Sequence, residues 1–195
     1  MKRKIVTKLM AIVLARVLLT GSVTPGFHMS RVQAAEDLFN TRYDFNFEDG
    51  IEGWEYQYNG AKPTLESDTE NGRMKIAVDF SQDADKNWSN IAACWKSEEG
   101  IDLSGVTQIS MDIWYETEKL TEGELKLAFY SNCGIDVNTS LIDVQEEEGT
   151  GLTKARAVFG FPAIGSDAVT DLAVKIVGCN TGYSGAVWID NIQFE

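Results

Sequence analysis

Residues 109–116, ISMDIWYE, alternate apolar and polar side chains more cleanly than any other stretch of the chain. A strand turns successive side chains to opposite faces, so Ile109, Met111 and Ile113 fall on one face and Ser110, Asp112, Trp114 and Glu116 on the other. The same period recurs. In residues 124–132, Leu125, Leu127 and Phe129 oppose Lys126, Ala128, Tyr130 and Asn132, and in residues 73–80 Met74, Ile76, Val78 and Phe80 form the apolar set. Short alternating runs at 43–48, 55–59, 64–67, 91–95, 141–145, 154–159, 172–177 and 186–194 complete the pattern. Such strands, separated by turn residues, predict an all-β antiparallel β-sandwich of roughly nine to eleven strands. Asn71-Gly72 marks a tight turn, residues 97–104 and 132–140 read as connections, and residues 162–168 leave room for one helical turn.

The amino terminus follows a different logic. Lys2, Arg3, Lys4 and Lys8 precede an apolar run over 9–23, and Val32-Gln33-Ala34 offers a small-residue cleavage site. This is the order of a secretory signal peptide, predicted over residues 1–34. The mature chain, 35–195, is then expected to be a secreted, extracellular protein with no membrane attachment once cleaved. Its length suits one domain with its own core, and neither a repeat nor a low-complexity linker divides it.

Cleavage would sharpen the charge. The first 34 residues carry six of the 17 basic residues and none of the 30 acidic ones, leaving 11 against 30 and a net charge of −19. A surface of that sign repels nucleic acid and anionic membranes and suits neutral partners or cations; a monomer is expected. The single histidine, His28, lies inside the predicted signal peptide. The mature chain therefore has no imidazole for a Ser-His-Asp triad, a Cys-His pair or a common zinc site. Cys94, Cys133 and Cys179 show no ligand spacing and are compatible with one disulfide plus a thiol or with three thiols. Carboxylates are abundant, but no pair is singled out as the acid and nucleophile of a glycosidase, so no catalytic residue is assigned.

What the polar faces offer is aromatic. Trp114 shares a face with Asp112, Tyr130 shares one with Asn132, Trp88 ends the polar, acidic loop 81–87, and Trp54 follows the glycine-rich turn 49–53. A pyranose ring is apolar on its C–H faces and polar at its rim. An indole or phenol ring covers the first, while Asp, Asn or Lys bond the second. Trp54, Trp88, Trp114 and Tyr130 are accordingly the candidate platforms, with Asp112, Asn132 and Lys175 as candidate polar partners. Trp95 and Trp188 are assigned to packing.

The two ends of the chain carry a family resemblance. Phe45-Asn46-Phe47-Glu48-Asp49-Gly50-Ile51-Glu52-Gly53-Trp54 resembles the F-x-F-E-x-G-x-x-G-W opening of secreted carbohydrate-binding modules, and Val187-Trp188-Ile189-Asp190-Asn191-Ile192 resembles their closing strand. Gly100-Ile101-Asp102-Leu103-Ser104-Gly105 is similar to their middle. The resemblance covers about residues 43–195 and is nearest to the mannan-binding modules of bacterial β-mannanases, families twenty-seven and twenty-three. It implies a jelly-roll, a tryptophan-lined ligand groove and a structural calcium. By position it implies Glu48 and Asp190 as calcium ligands, with carbonyls of the 71–73 turn and Asp44 or Asn46 available to fill a shell of six to eight oxygens.

The expectation is therefore a non-catalytic module that holds β-mannan or another neutral plant polysaccharide in an aromatic-lined groove and targets an associated enzyme to it. The alternatives are a small β-sandwich glycoside hydrolase or lyase, and a cell-surface or scaffold domain that binds protein.

Overall fold

The computed structural model describes residues 43–57, 65–165 and 168–195; the predicted signal peptide and the first residues after it lie outside them. Twelve strands run in chain order: β1 Tyr43–Phe45, β2 Trp54–Gln57, β3 Leu65–Asp68, β4 Arg73–Asp79, β5 Ser89–Ile101, β6 Gln108–Glu116, β7 Glu124–Ser131, β8 Ile135–Ser140, β9 Ile142–Glu147, β10 Leu152–Gly160, β11 Val169–Cys179 and β12 Ser184–Phe194. They form two antiparallel sheets. Sheet A has the order β3-β4-β12-β6-β10-β9, with β1 also on β12; sheet B has the order β2-β5-β11-β7-β8. The predicted β-sandwich of jelly-roll type is what the chain forms.

The inward sets close one core. Met74, Ile76 and Val78 of β4, Ile109, Met111 and Ile113 of β6, and Leu125, Leu127 and Phe129 of β7 are all buried in it. Aromatic rings join the sheets: Phe45 lies edge-on to Trp54 at 5.2 Å and to Trp95 at 5.7 Å, and Phe129 meets Phe159 and Phe194 at 6.1 Å. Such tilted contacts add to the burial of large apolar surface.

Three local expectations are corrected. Residues 135–140, read as a connection, form β8, because Ile135 and Val137 face the core behind the Gly134 turn (φ 89°). Strand β5 runs on to Ile101 rather than stopping at Trp95. The proposed helical turn is absent from residues 162–165 and 168; the one helical segment among the described residues is the short 3-10 turn Thr117–Lys119. Among the described residues no helix is long and apolar enough to cross a membrane. Cys94, Cys133 and Cys179 all remain thiols.

Candidate functional site

The outer face of sheet B follows from register alone, since directly paired residues share a face. One row crosses all five strands: Glu55, Cys94, Ala173, Tyr130, Asp136. The next reads Ala92, Lys175, Ala128, Asn138 from β5 to β8, and a third Asn90, Val177, Lys126, Ser140. The middle of this face is small. Ala92, Cys94, Ala173 and Ala128 make a low floor around Lys175 of the central strand, with Tyr130 and Asp136 on the β8 side. Toward β2, Gly53, Glu55, Tyr56, Cys94 and Lys96 line a depression. Burial pushes the Cys94 thiol up, so the sulfur serves as floor rather than as a nucleophile.

Among the described residues two aromatic rings remain open to solvent. Trp88 is 46% exposed and Tyr130 40%. Trp88 precedes β5 by one residue, at the parity of Asn90, Ala92 and Cys94, and by the pairing of Gly178 with Ser89 it stands level with Cys179. Its loop is tied down. The Lys86 carbonyl accepts from the Asn180 amide at 2.8 Å, and Asp83 accepts from both Lys86 and the Ser89 hydroxyl. The Lys86 bond, then that from Ser89, hold the Asp83 carboxyl below its usual range. Level with Ala173, Tyr130 lies six residues further along, about 20 Å at the rise of a strand.

Four of the sequence candidates are placed elsewhere or already engaged. Trp54 is fully buried on the core side of β2; the glycine turn before it feeds the ring inward, so it cannot stack on a ligand. Trp114 does share a face with Asp112, but that face belongs to sheet A, opposite the groove, and the ring is only 3% exposed. Arg73 lies 3.7 Å from its centre and Lys154 4.7 Å, while its Nε1 donates to Glu147 at 2.9 Å. Cationic stems from the adjacent strand β10 and from β4, two strands away, thus bury an outward indole. Asp112 pairs with Lys154 at 3.0 Å. Asn132 lies at the end of β7, where Oδ1 accepts from the Thr170 and Asp171 amides and Nδ2 donates to the Thr170 hydroxyl. That use is a staple between strands. Trp95 packs in the core as assigned; Trp188, by contrast, is half-buried beside Trp114 on the outer face of sheet A. Residues the sequence reading missed are Glu55, Lys96, Asp136 and the alanine floor. Asp136 was legible in the 135–140 alternation, but the neighbouring Asn and Gly residues point to a loop.

The Glu48 carboxylate lies against the 71–73 turn, within electrostatic reach of Asp190 on β12. Gly72 has φ 62°, and a Cβ placed on it would stand 3.0 Å from a Glu48 carboxylate oxygen. Glycine is favoured at this φ and leaves room for the Glu48 carboxylate. Asp190 begins the bulge in β12 that puts Asn191 at φ 52° and accepts from the Asn191 amide at 2.6 Å. Its carboxyl is pushed up to about 6, chiefly by burial, with Asp112 and Glu48 adding repulsion that the Asn191 bond and Arg73 only partly offset. The folded chain thus holds this proton to a higher pH than the unfolded chain. The ionised group costs stability above about pH 6, and that cost fades as the pH falls.

Comparison with known proteins places the fold. No family model matches the chain, and no curated protein sequence matches it. Solved structures do. CBM27-1 of Caldicellulosiruptor saccharolyticus, solved with mannohexaose, aligns with a TM-score of 0.63 at 16% identity over 78% of this chain and 96% of its own. TmCBM27, described for specific mannan recognition, gives 0.59 at 17% over 79% and 95%. CBM28, specific for non-crystalline cellulose, gives 0.60 at 14% over 77% and 92%. At these identities the likeness is one of architecture: the chain has the β-sandwich fold of carbohydrate-binding modules.

Proposed function

We propose that the protein is a secreted, non-catalytic carbohydrate-binding module that holds a β-mannan or related neutral β-glycan on the outer face of sheet B and keeps an associated enzyme at its substrate. One observation carries this reading: a floor of Ala92, Cys94, Ala128 and Ala173 lies between two solvent-open rings, Trp88 and Tyr130, with Lys and acid side chains around it. Small residues let a chain settle close to the sheet, the rings cover C–H faces and the charged groups bond hydroxyls. The spacing of the rings asks for an extended oligosaccharide rather than a single sugar. That structures of this architecture are titled as mannan- and cellulose-binding modules agrees with it.

The acids do not favour catalysis on this face. Among the described residues the one carboxyl group pushed upward, Asp190, sits on the other sheet. A raised carboxyl is what a glycosidase uses as its general acid. Affinity electrophoresis against purified mannans, xylans and glucans tests the proposal. Retardation by a neutral β-glycan, without release of reducing sugar, is the expected result; unchanged migration in every polysaccharide would refute it.

Glu48 and Asp190 fit a hard cation of the calcium class. Glu48 lies against the Gly72 turn and Asp190 is within its electrostatic reach, and carbonyls around the 71–73 turn and water would complete the shell. The ion would offset their repulsion and tie the opening segment to the last strand, on the sheet opposite the groove. Free calcium is expected to raise the Tm by ligand linkage, and Glu48→Ala or Asp190→Ala to abolish that rise. Superimposable melting curves in calcium and in chelator would rule the site out.

A further inference from the structure

Three lysines stand on the open face of sheet B, and their partners differ. Lys126 is held by Glu124, on its own strand, at 2.8 Å. Lys96 faces its cross-strand neighbour Asp171 at 3.6 Å. From the central strand, Lys175 reaches past Ala128 to the edge strand β8 and stops 3.9 Å from an Asp136 carboxylate oxygen. That is ion-pair distance, beyond the roughly 2.7–3.2 Å of an N–H···O hydrogen bond. The same ammonium stands 5.7 Å from the centre of the Tyr130 ring, and Tyr130 pairs directly with Asp136. Ammonium, carboxylate and ring form one triangle at the β8 wall of the groove.

Comparison with sheet A shows what this triangle leaves open. Arg73 lies against Trp114 at 3.7 Å and closes its face. Lys175 stands farther out, 5.7 Å from the centre of the Tyr130 ring, and that ring stays exposed. A donor and an acceptor 3.9 Å apart also define a gap that one oxygen can fill, about 2.8 Å from each. Lysine only donates and an ionised aspartate only accepts, so the gap asks for a group that does both, which a hydroxyl does. An ester or ether oxygen would accept from Lys175 but give Asp136 no proton, so the second of the two bonds is lost.

Resting on the carbohydrate reading above, we infer that Lys175 and Asp136 are a specificity pair that reads one free hydroxyl on the sugar stacked over Tyr130. The groove therefore takes unsubstituted chain segments and discriminates against those O-acetylated at that position.

The test is titration calorimetry on the full chain with one mannan preparation in two states, natively O-acetylated and alkali-deacetylated. Wild-type protein is expected to bind the deacetylated form about tenfold more tightly. Asp136→Ala should lose about tenfold on the deacetylated form only, so that the two forms become equivalent. Lys175→Met should weaken both, since either oxygen accepts from the ammonium. Equal wild-type affinity for the two forms, or a preference that survives Asp136→Ala, would overturn this inference and leave the carbohydrate reading standing. Absence of binding to either form would overturn this inference, and the carbohydrate reading falls with it only if xylans and glucans also fail to bind.

Discussion

Trp88→Ala is expected to weaken binding of soluble manno-oligosaccharides by at least about thirtyfold while leaving the melting curve in place. Sugar hydroxyls surrender water for equivalent bonds, so net affinity comes chiefly from apolar contact and stays modest. A Kd of about 1–100 μM corresponds to roughly −8 to −5.5 kcal/mol, and a central aromatic anchor commonly carries about 2 kcal/mol of such a total. Trp88 is the most exposed of the candidate platforms, at 46%. Its loop is held through Lys86, Asp83 and Ser89 rather than through the indole, so the substitution removes a contact surface and leaves the fold its supports. Because the ligand is uncharged, affinity should change little with salt. Titration calorimetry on the folded variant is the check. Wild-type affinity in Trp88→Ala would move the site elsewhere on the molecule.

Trp54→Ala should do the opposite: a large loss of stability, and unchanged affinity in whatever fraction remains folded. The ring is fully buried against Phe45, and removing a core tryptophan costs about 3–5 kcal/mol through lost transfer energy and the cavity left behind. For a domain of this size that lowers the Tm by roughly 6–20 °C. Its indole Nε1 is buried without an acceptor, so Trp54→Phe should recover much of the loss by removing an unsatisfied donor along with the extra ring. Thermal melts of the two variants, set beside their binding isotherms, separate the roles of two tryptophans that look alike in sequence. A Trp54→Ala protein with a wild-type Tm and no binding would return this residue to the groove.

Both tryptophans follow polar or glycine-rich segments, and that is why local sequence did not tell them apart. Whether a ring emerging from a turn points inward depends on where the next strand joins the sandwich. Trp54 opens β2 at core parity, beside Trp95 of β5; Trp88 stands one residue before β5 at the outer parity. Trp114 shows a second limit. Alternation placed it correctly on an outward face with Asp112, but exposure was decided by Arg73 of β4 and Lys154 of β10, distant in sequence and brought over the ring by the pairing of β6 with β10 and β12.

Period-2 alternation determined that the chain forms strands and which side chains face the core, because that period is a local consequence of strand geometry. The apolar sets of β4, β6 and β7 therefore stand as read. Charge and the position of the one histidine, His28, likewise needed no structure to turn the expectation away from nucleic acid and from imidazole-based hydrolysis. Strand order was a different matter. It alone set Tyr130 and Lys175 on one sheet and Trp114 and Asp112 on the other, set Lys175 of β11 within reach of Asp136 of β8, and brought Glu48 within electrostatic reach of Asp190 across most of the chain's length. Groove membership is a property of pairing between distant strands, and pairing is settled by closure of the whole core rather than by any segment within it.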